Sequence, residues 1–400
     1  RMVYSFPSDE QLWARYAELR ADGLRADRGL ADATAFYVAN RDRMDVGANV
    51  AWPERFNPDE ASALQHAMNL RLQDEQAFFA EYQNEPMPER AAEAGEATVE
   101  LVMSRPNGIV RGVVPAECAK LTMFVDVQQK ALYWLVASWS EDFTGHVVDY
   151  GTEPEQGLKW FTLRDVRRTL AGELPRAGVE AAIRAGLERL VARTIGREWH
   201  DERGASVRIS RCLVDANWGM STEVVYGFCR RSEFASLLTP SHGRYVGASS
   251  VPFREYRKKP GERLGLNWSS PSPGPRAIRH VNFDTNFWKS FVHARLSVEV
   301  GDPGCLTLFG RNGEDHRLLA EHLTAEYRVR TQGRGREVDE WRLRADGLDN
   351  HWLDCLVGSA VGASIEGVVL TSAHAPRKKR ERVSMSDLQR RARERRSPMS

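Results

Sequence analysis

Residues 120–150 read KLTMFVDVQQKALYWLVASWSEDFTGHVVDY, and this stretch decides the fold. Leu121 to Val125 is an apolar run, Ala131 to Ser138 is aromatic and aliphatic, and Gly145 to Tyr150 follows a polar turn. Each run has strand length and composition, and connections this short join antiparallel neighbours. A three-stranded meander is expected. Further on the period changes: Val179 to Arg193 reads as a helix, Val207 to Val214 as a strand, Ser221 to Arg231 as a helix and Ser236 to Thr239 as a short strand. A meander continued by alternating strands and helices defines an α/β class, with a mixed sheet flanked by helices.

Upstream, residues 1–95 read as a mainly helical segment. Asp9 to Arg20 repeats apolar positions at Leu12, Tyr16 and Leu19, and Pro58 to Tyr82 reads as one or two helices with Asn57 or Asp59 near the cap. Pro86, Pro88 and Gly95 among Ala and Glu mark Asn84 to Thr98 as a linker. The expected divisions are helices and linker helices over 1–95, a linker over 96–118, the sheet domain over 119–370 and a basic tail over 371–400. Within the sheet domain, Pro252 to Pro275 reads as a loop or mobile arm, Thr285 to Leu296 as a helix, Ala320 to Ala345 as a hairpin turning at Gly333 and Gly335, and Asp349 to Glu366 as a last helix. The tail, rich in Arg and Lys from Arg377 to Arg396, reads either as a solvated disordered end or as a docking or DNA-touching segment.

With 400 residues, 42% of them hydrophobic, the chain has ample material for a core. No run of about 18 apolar residues and no secretory leader occurs, so a cytosolic protein is expected. Its five cysteines are scattered without a CxxC pair, which argues against a disulfide framework or a structural zinc site and for reduced, mostly buried thiols. The net charge of +1 neither requires nor excludes a nucleic-acid partner, because a local basic track suffices. GxxxxGK[ST], GxSxG, HExxH and a strand-linked GxGxxG are all missing, so ATP hydrolysis by this chain is not expected. Arg1 in first position, ahead of what reads as mid-domain sequence, suggests a piece of a longer protein, the alternative being a first residue derived from a vector.

Two carboxylates end buried strands: Asp126 follows LTMFV and Asp215 follows CLV. If the strands are neighbours, the like charges repel unless a cation neutralises them or one takes a proton. A hard divalent ion suits oxygen ligands, and phosphodiester hydrolysis by two ions needs a third carboxylate. Asp354 is the candidate, on a helix whose Gly358, Ser359, Ala360, Gly362 and Ala363 allow close packing on a sheet. His351 shares its face three residues earlier. Asp149, Glu223 and Asp349 are open as a fourth residue. The alternative reading is that the strand-end aspartates form turns and Asp354 decorates a helix surface. Arg254, Arg257, Lys258 and Lys259, near Tyr256 and Trp268, are candidates for a DNA-backbone track or for a solvated loop. His351 and Cys355 form an i, i+4 pair, but no further zinc ligands are spaced to join them.

Several segments in fixed order resemble the large terminase subunit of tailed bacteriophages, in the lambda-like group. They are FYVANRDRMDVGANVAWPERF, SALQ and FFAEYQNEP in the first unit, then FVDVQ, VVDYGTEP, LVDANWG, VVYGFCRR, NFWKSFVHARL and DNHWLDCLVGSAVGAS. The resemblance spans roughly residues 35 to 365. It implies an RNase H-like nuclease preceded by the end of a packaging ATPase, with Asp126, Asp215 and Asp354 coordinating two Mg²⁺ or Mn²⁺ ions and His351 and Gln128 beside them. The implied activity is endonucleolytic cutting of concatemeric double-stranded DNA. The implied partners are double-stranded DNA, a small terminase subunit and the portal protein of the procapsid, in the bacterial host cytoplasm with no membrane. A catalytically inactive DNA- or portal-docking module, or another RNase H-like nuclease of resolvase or transposase type, is the alternative.

Overall fold

The opening stretch forms three adjoining strands, β1 (Lys120–Val127), β2 (Leu132–Trp139) and β3 (Gly145–Glu153), each antiparallel to the next. In the computed structural model the described residues are 1–369, apart from 26–27, 74–77, 84–95, 218, 220, 274–277 and 346. The basic tail and most of the Asn84–Thr98 linker lie outside them. Every residue of β2 is buried, as expected of a strand covered on both faces.

The other side of β1 is taken by β4 (Ile209–Asp215), parallel to it, and β5 (Leu238–Arg244) runs parallel to β4. Three short strands extend this side: β6 (Arg263–Gly265), β7 (Trp268–Ser270) and β8 (Val281–Asp284). With β9 (Leu306–Leu308) on the far edge, the nine strands run in the order β6, β7, β8, β5, β4, β1, β2, β3, β9. The expected mixed sheet is present.

Side chains of β1 alternate between two cores. Met123 and Val125 face α5 (Val179–Thr194) and α6 (Thr222–Arg231), joining Ile183, Leu187 and Val225. Phe124 faces the opposite core, formed with α7 (Thr285–Leu296) and α9 (His351–Ile365), where Leu356, Val357 and Ala360 pack. The small residues of α9 bring it close to the sheet. A Cβ at Gly358 would overlap the Phe124 ring, and Thr122 Oγ1 meets Ser359 Oγ at 2.8 Å. Between α7 and α9 lie α8 (Arg317–Leu323) and the hairpin β10 (Glu326–Gly333) with β11 (Arg336–Leu343), which turns through Arg334 and Gly335 at positive φ.

The N-terminal helices are α1 (Glu10–Arg25), α2 (Ala31–Met44) and α3 (Ala63–Gln73), around a core of Trp13, Tyr16, Tyr37, Met44, Leu64 and Met68. At α3, Ser62 Oγ accepts from Gln65 N at 3.0 Å, so the capping contact comes from Ser62 and not from Asn57 or Asp59. Two further expectations change. Residues 96–118 are not a free linker: they carry α4 (Val99–Met103), with Ala97 and Val102 buried, and Glu96 accepts from Arg328 N and Arg344 Nη2. The Pro252–Pro275 arm contains sheet strands β6 and β7, anchored by buried Trp268, whose Nε1 donates to Ser364 Oγ at 3.0 Å. Three-residue strands carry too little alternation to stand out from loop sequence.

Asp284 closes β8 and caps α7, accepting from Phe287 N at 3.1 Å, and burial pushes its carboxyl up to about 7. A carboxyl raised on folding contributes stability that is present below its unfolded value, near 4, and lost as pH climbs through about 7. Asp284→Asn keeps a capping oxygen and cannot ionise. Its stability relative to wild type is expected to rise between about pH 4 and 7 and then level off, by at most about 4 kcal/mol. Urea titrations across that range test this, and a difference that stays constant with pH overturns it.

Candidate active site

Register brings the first two aspartates together. Val125 pairs with Val214 across the parallel strands β1 and β4, so Asp126 and Asp215 are the next residues on adjacent strands, at the same height and on the same face. Beyond them Asn217 steadies the turn: its N–H reaches Asp215 Oδ1 at 3.4 Å, its Nδ2 donates to Gly243 O, and its Oδ1 meets His242 Nδ1 at 3.1 Å.

The first turn of α9 supplies the rest. His351 Nδ1 lies 2.7 Å from Asp126 Oδ2, and Gln128 Nε2 contacts both Asp126 oxygens at 3.1 Å, so this carboxylate is held from two sides. The His351 ring packs on Tyr133, centroids 4.3 Å apart, which fixes its plane. One turn on, Asp354 joins Asp126 and Asp215 in lining a single cleft of about 370 Å³.

The model of the family described as terminase large subunit gpA, endonuclease domain, matches residues 64–374. The chain belongs to this family. Neither curated proteins nor solved structures returned a match. The terminase match begins inside α3, so α1 and α2 precede it. Among its described residues, no helix is long and apolar enough to cross a membrane.

The carboxylates of the terminase cleft feel one another. Burial, followed by the charges of Asp126 and Asp354, holds Asp215 well above the ordinary carboxylate range. Burial also raises Asp354, against the attraction of Lys289 and with the repulsion of Glu326 and Asp126. For His351, burial alone would lower the imidazole, but the hydrogen bond and charge of Asp126, with Asp349 and Asp354, reverse this and leave it raised.

Two members of the cleft were not anticipated from sequence. Lys289 of α7 is buried and forms ion pairs with Glu326 and with Asp354, the latter at 3.3 Å. Glu326, which opens β10, also accepts from Asn350 Nδ2 at 2.6 Å. The available signal was a charged residue inside the otherwise apolar NFWKSFV helix, which is costly unless paired. Among the described residues, no three His, Cys, Asp or Glu side chains stand close enough to enclose one ion. The donor chemistry nevertheless suits a hard cation: four carboxylates line one cleft, and the Lys289 ammonium already stands between two of them.

Other candidates lie elsewhere. Asp149 is bound by Arg111 at 2.7 Å and Arg197 at 3.4 Å in a separate depression, Glu223 is exposed on α6, and Asp349 accepts from Leu163 N at 2.6 Å beside His351. None of the three lines the acidic cleft. Arg254, Arg257, Lys258 and Lys259 are all exposed and likewise do not line it. Cys355 is buried with its thiol toward Tyr133 O at 3.4 Å, so it has a structural setting.

Proposed function

We propose that this endonuclease domain cuts concatemeric double-stranded DNA by metal-dependent phosphodiester hydrolysis, with Asp126, Asp215 and Asp354 holding two Mg²⁺ or Mn²⁺ ions. The observation that carries the reading is the convergence of these aspartates, from two parallel strand ends and a helix, on one cleft in a chain of the terminase endonuclease family. The central order β3, β2, β1, β4, β5, with acids at the ends of β1 and β4, supports an RNase H-like fold.

Bound ions of this kind polarise the scissile phosphate and lower the pKa of attacking water. The protein's own contribution is position and charge. Gln128 and His351 hold Asp126 oriented, and the rigid ends of β1 and β4 fix its spacing from Asp215. Without cations the acidic side chains would repel a phosphate backbone, and ions held by Asp126, Asp215 and Asp354 would offset that repulsion. In this reading water is the nucleophile and no covalent intermediate with the protein is formed. By the same reading, double-stranded DNA is met mainly through its backbone, a small terminase subunit supplies site selection, the portal protein receives the complex, and the work takes place in the bacterial host cytoplasm.

The test is a nicking assay on supercoiled plasmid at low salt. Cleavage is expected with Mg²⁺ or Mn²⁺ and none with EDTA. Intact plasmid with both metals, or equal cutting in EDTA, overturns the reading.

A further inference from the structure

The floor of the acidic cleft is the sheet, but one wall is α1. This helix faces two ways. Trp13 and Tyr16 pack into the N-terminal core against Tyr37, while Ala17, Arg20 and Ala21, neighbours at i, i+3 and i+4, line the cleft with Leu72 of α3. Further contacts fasten the helix there. Glu18 is buried, takes Arg15 Nη1 at 2.6 Å and reaches the loop at Gly247, where the carboxylates of Glu18 and of Glu340 on β11 occupy the space beside the glycine. Side chains of α1 and of the hairpin thus meet at Gly247. Arg342, also on β11, lines the same cleft.

We infer that α1 is a wall of the DNA-binding cleft, and that Arg20 grips a backbone phosphate of the strand lying over Asp126, Asp215 and Asp354. The inference rests on the nuclease reading above. A strand laid across these carboxylates brings its own negative phosphates and needs positive charge opposite the metal-holding face. A guanidinium offers a planar pair of donors that matches phosphate oxygens. Ala17 and Ala21 on either side of Arg20 keep the wall low enough for a backbone to pass. Arg20 lies ahead of the residues matched by the endonuclease family, so the helical segment contributes directly to the site.

The experiment uses the full chain, a short fluorescein-labelled duplex and Ca²⁺ in place of Mg²⁺, with affinity read by anisotropy over a series of salt concentrations. Arg20→Ala is expected to weaken binding about tenfold and to make the slope of log affinity against log salt shallower by about one, the signature of one lost phosphate contact. Arg20→Lys should restore the slope, with affinity between those of Arg20→Ala and wild type. Arg41→Ala, an exposed change on α2, should alter neither. Wild-type affinity and slope in Arg20→Ala overturn the inference, and so does weaker binding with an unchanged slope, which marks a packing defect. If the wild type cannot cut plasmid yet Arg20→Ala loses affinity and slope, the nuclease reading falls and the wall stands. If the wild type cuts and Arg20→Ala binds and cuts equally well, the wall falls alone.

Discussion

Asp126→Asn is expected to slow plasmid cleavage by at least about a thousandfold, equivalent to about 4 kcal/mol of transition-state stabilisation, while leaving the fold intact. Asparagine keeps the size of the side chain and an oxygen toward Gln128, but not the charge. The loss should be confined to chemistry, because Asp126 is a liability to the metal-free fold: its charge raises Asp215 and Asp354, two carboxylates already disfavoured by burial. Removing it relieves that repulsion and also removes the partner that holds His351 raised. A melting midpoint equal to wild type or slightly higher, with cleavage nearly abolished, is the expected pair of results. Cleavage within tenfold of wild type would remove Asp126 from the metal-holding set. A collapsed melting transition would instead mark it as structural.

The second large effect is on stability. Gly358→Ala is expected to destabilise the domain by roughly 3 kcal/mol, although alanine in a helix interior is ordinarily favoured over glycine by about 1 kcal/mol. The reason is space. The new methyl would stand inside the ring of Phe124, itself buried and packed edge-on against Phe283 at 6.5 Å, so neither side can yield cheaply. Either α9 lifts from β1 or Phe124 leaves its rotamer. Both disturb the site, since Phe124 is two residues from Asp126 and Gly358 is one helical turn from Asp354. Chemical denaturation measures the stability, and plasmid cleavage should fall with it. A Gly358→Ala variant as stable as wild type would show that the close approach of helix and sheet is not needed.

These two positions also show what sequence could reveal. Asp126 and Asp215 stand out because each ends an apolar run, and hydrophobic pattern alone located those strands to within a few residues. The small residues after Asp354 announced a helix lying close on a sheet, and Gly358 and Gly362 do face β1. That Asp354 meets the other two depended on family resemblance, because nothing local to a helix encodes which strand it will cross. Lys289 and Glu326 were hidden for a related reason: each is explained only by the other, and they lie on separate elements. The wall formed by α1 was hidden more deeply. Ala17, Arg20 and Ala21 look like any solvated helix flank, and only tertiary packing turns that flank toward the acids. The basic loop from Arg254 to Lys259 stands out by composition alone, and composition does not say which surface a loop joins: its four basic residues are exposed and do not line the cleft.

The site also has a timetable written into it. Asp126 and Asp354 are separated by more than two hundred residues of chain, and the helix carrying Asp354 is the last one among the described residues. During synthesis the strands carrying Asp126 and Asp215 leave the ribosome before α9 does, so for a time two aspartates exist without the third. Chains interrupted before residue 351 therefore lack the complete acid set, whatever else of the sheet they have folded. If these three aspartates hold the metal as proposed, cutting by the nascent chain has to wait until almost all of the domain has been made, by nothing more than the order in which the three are translated.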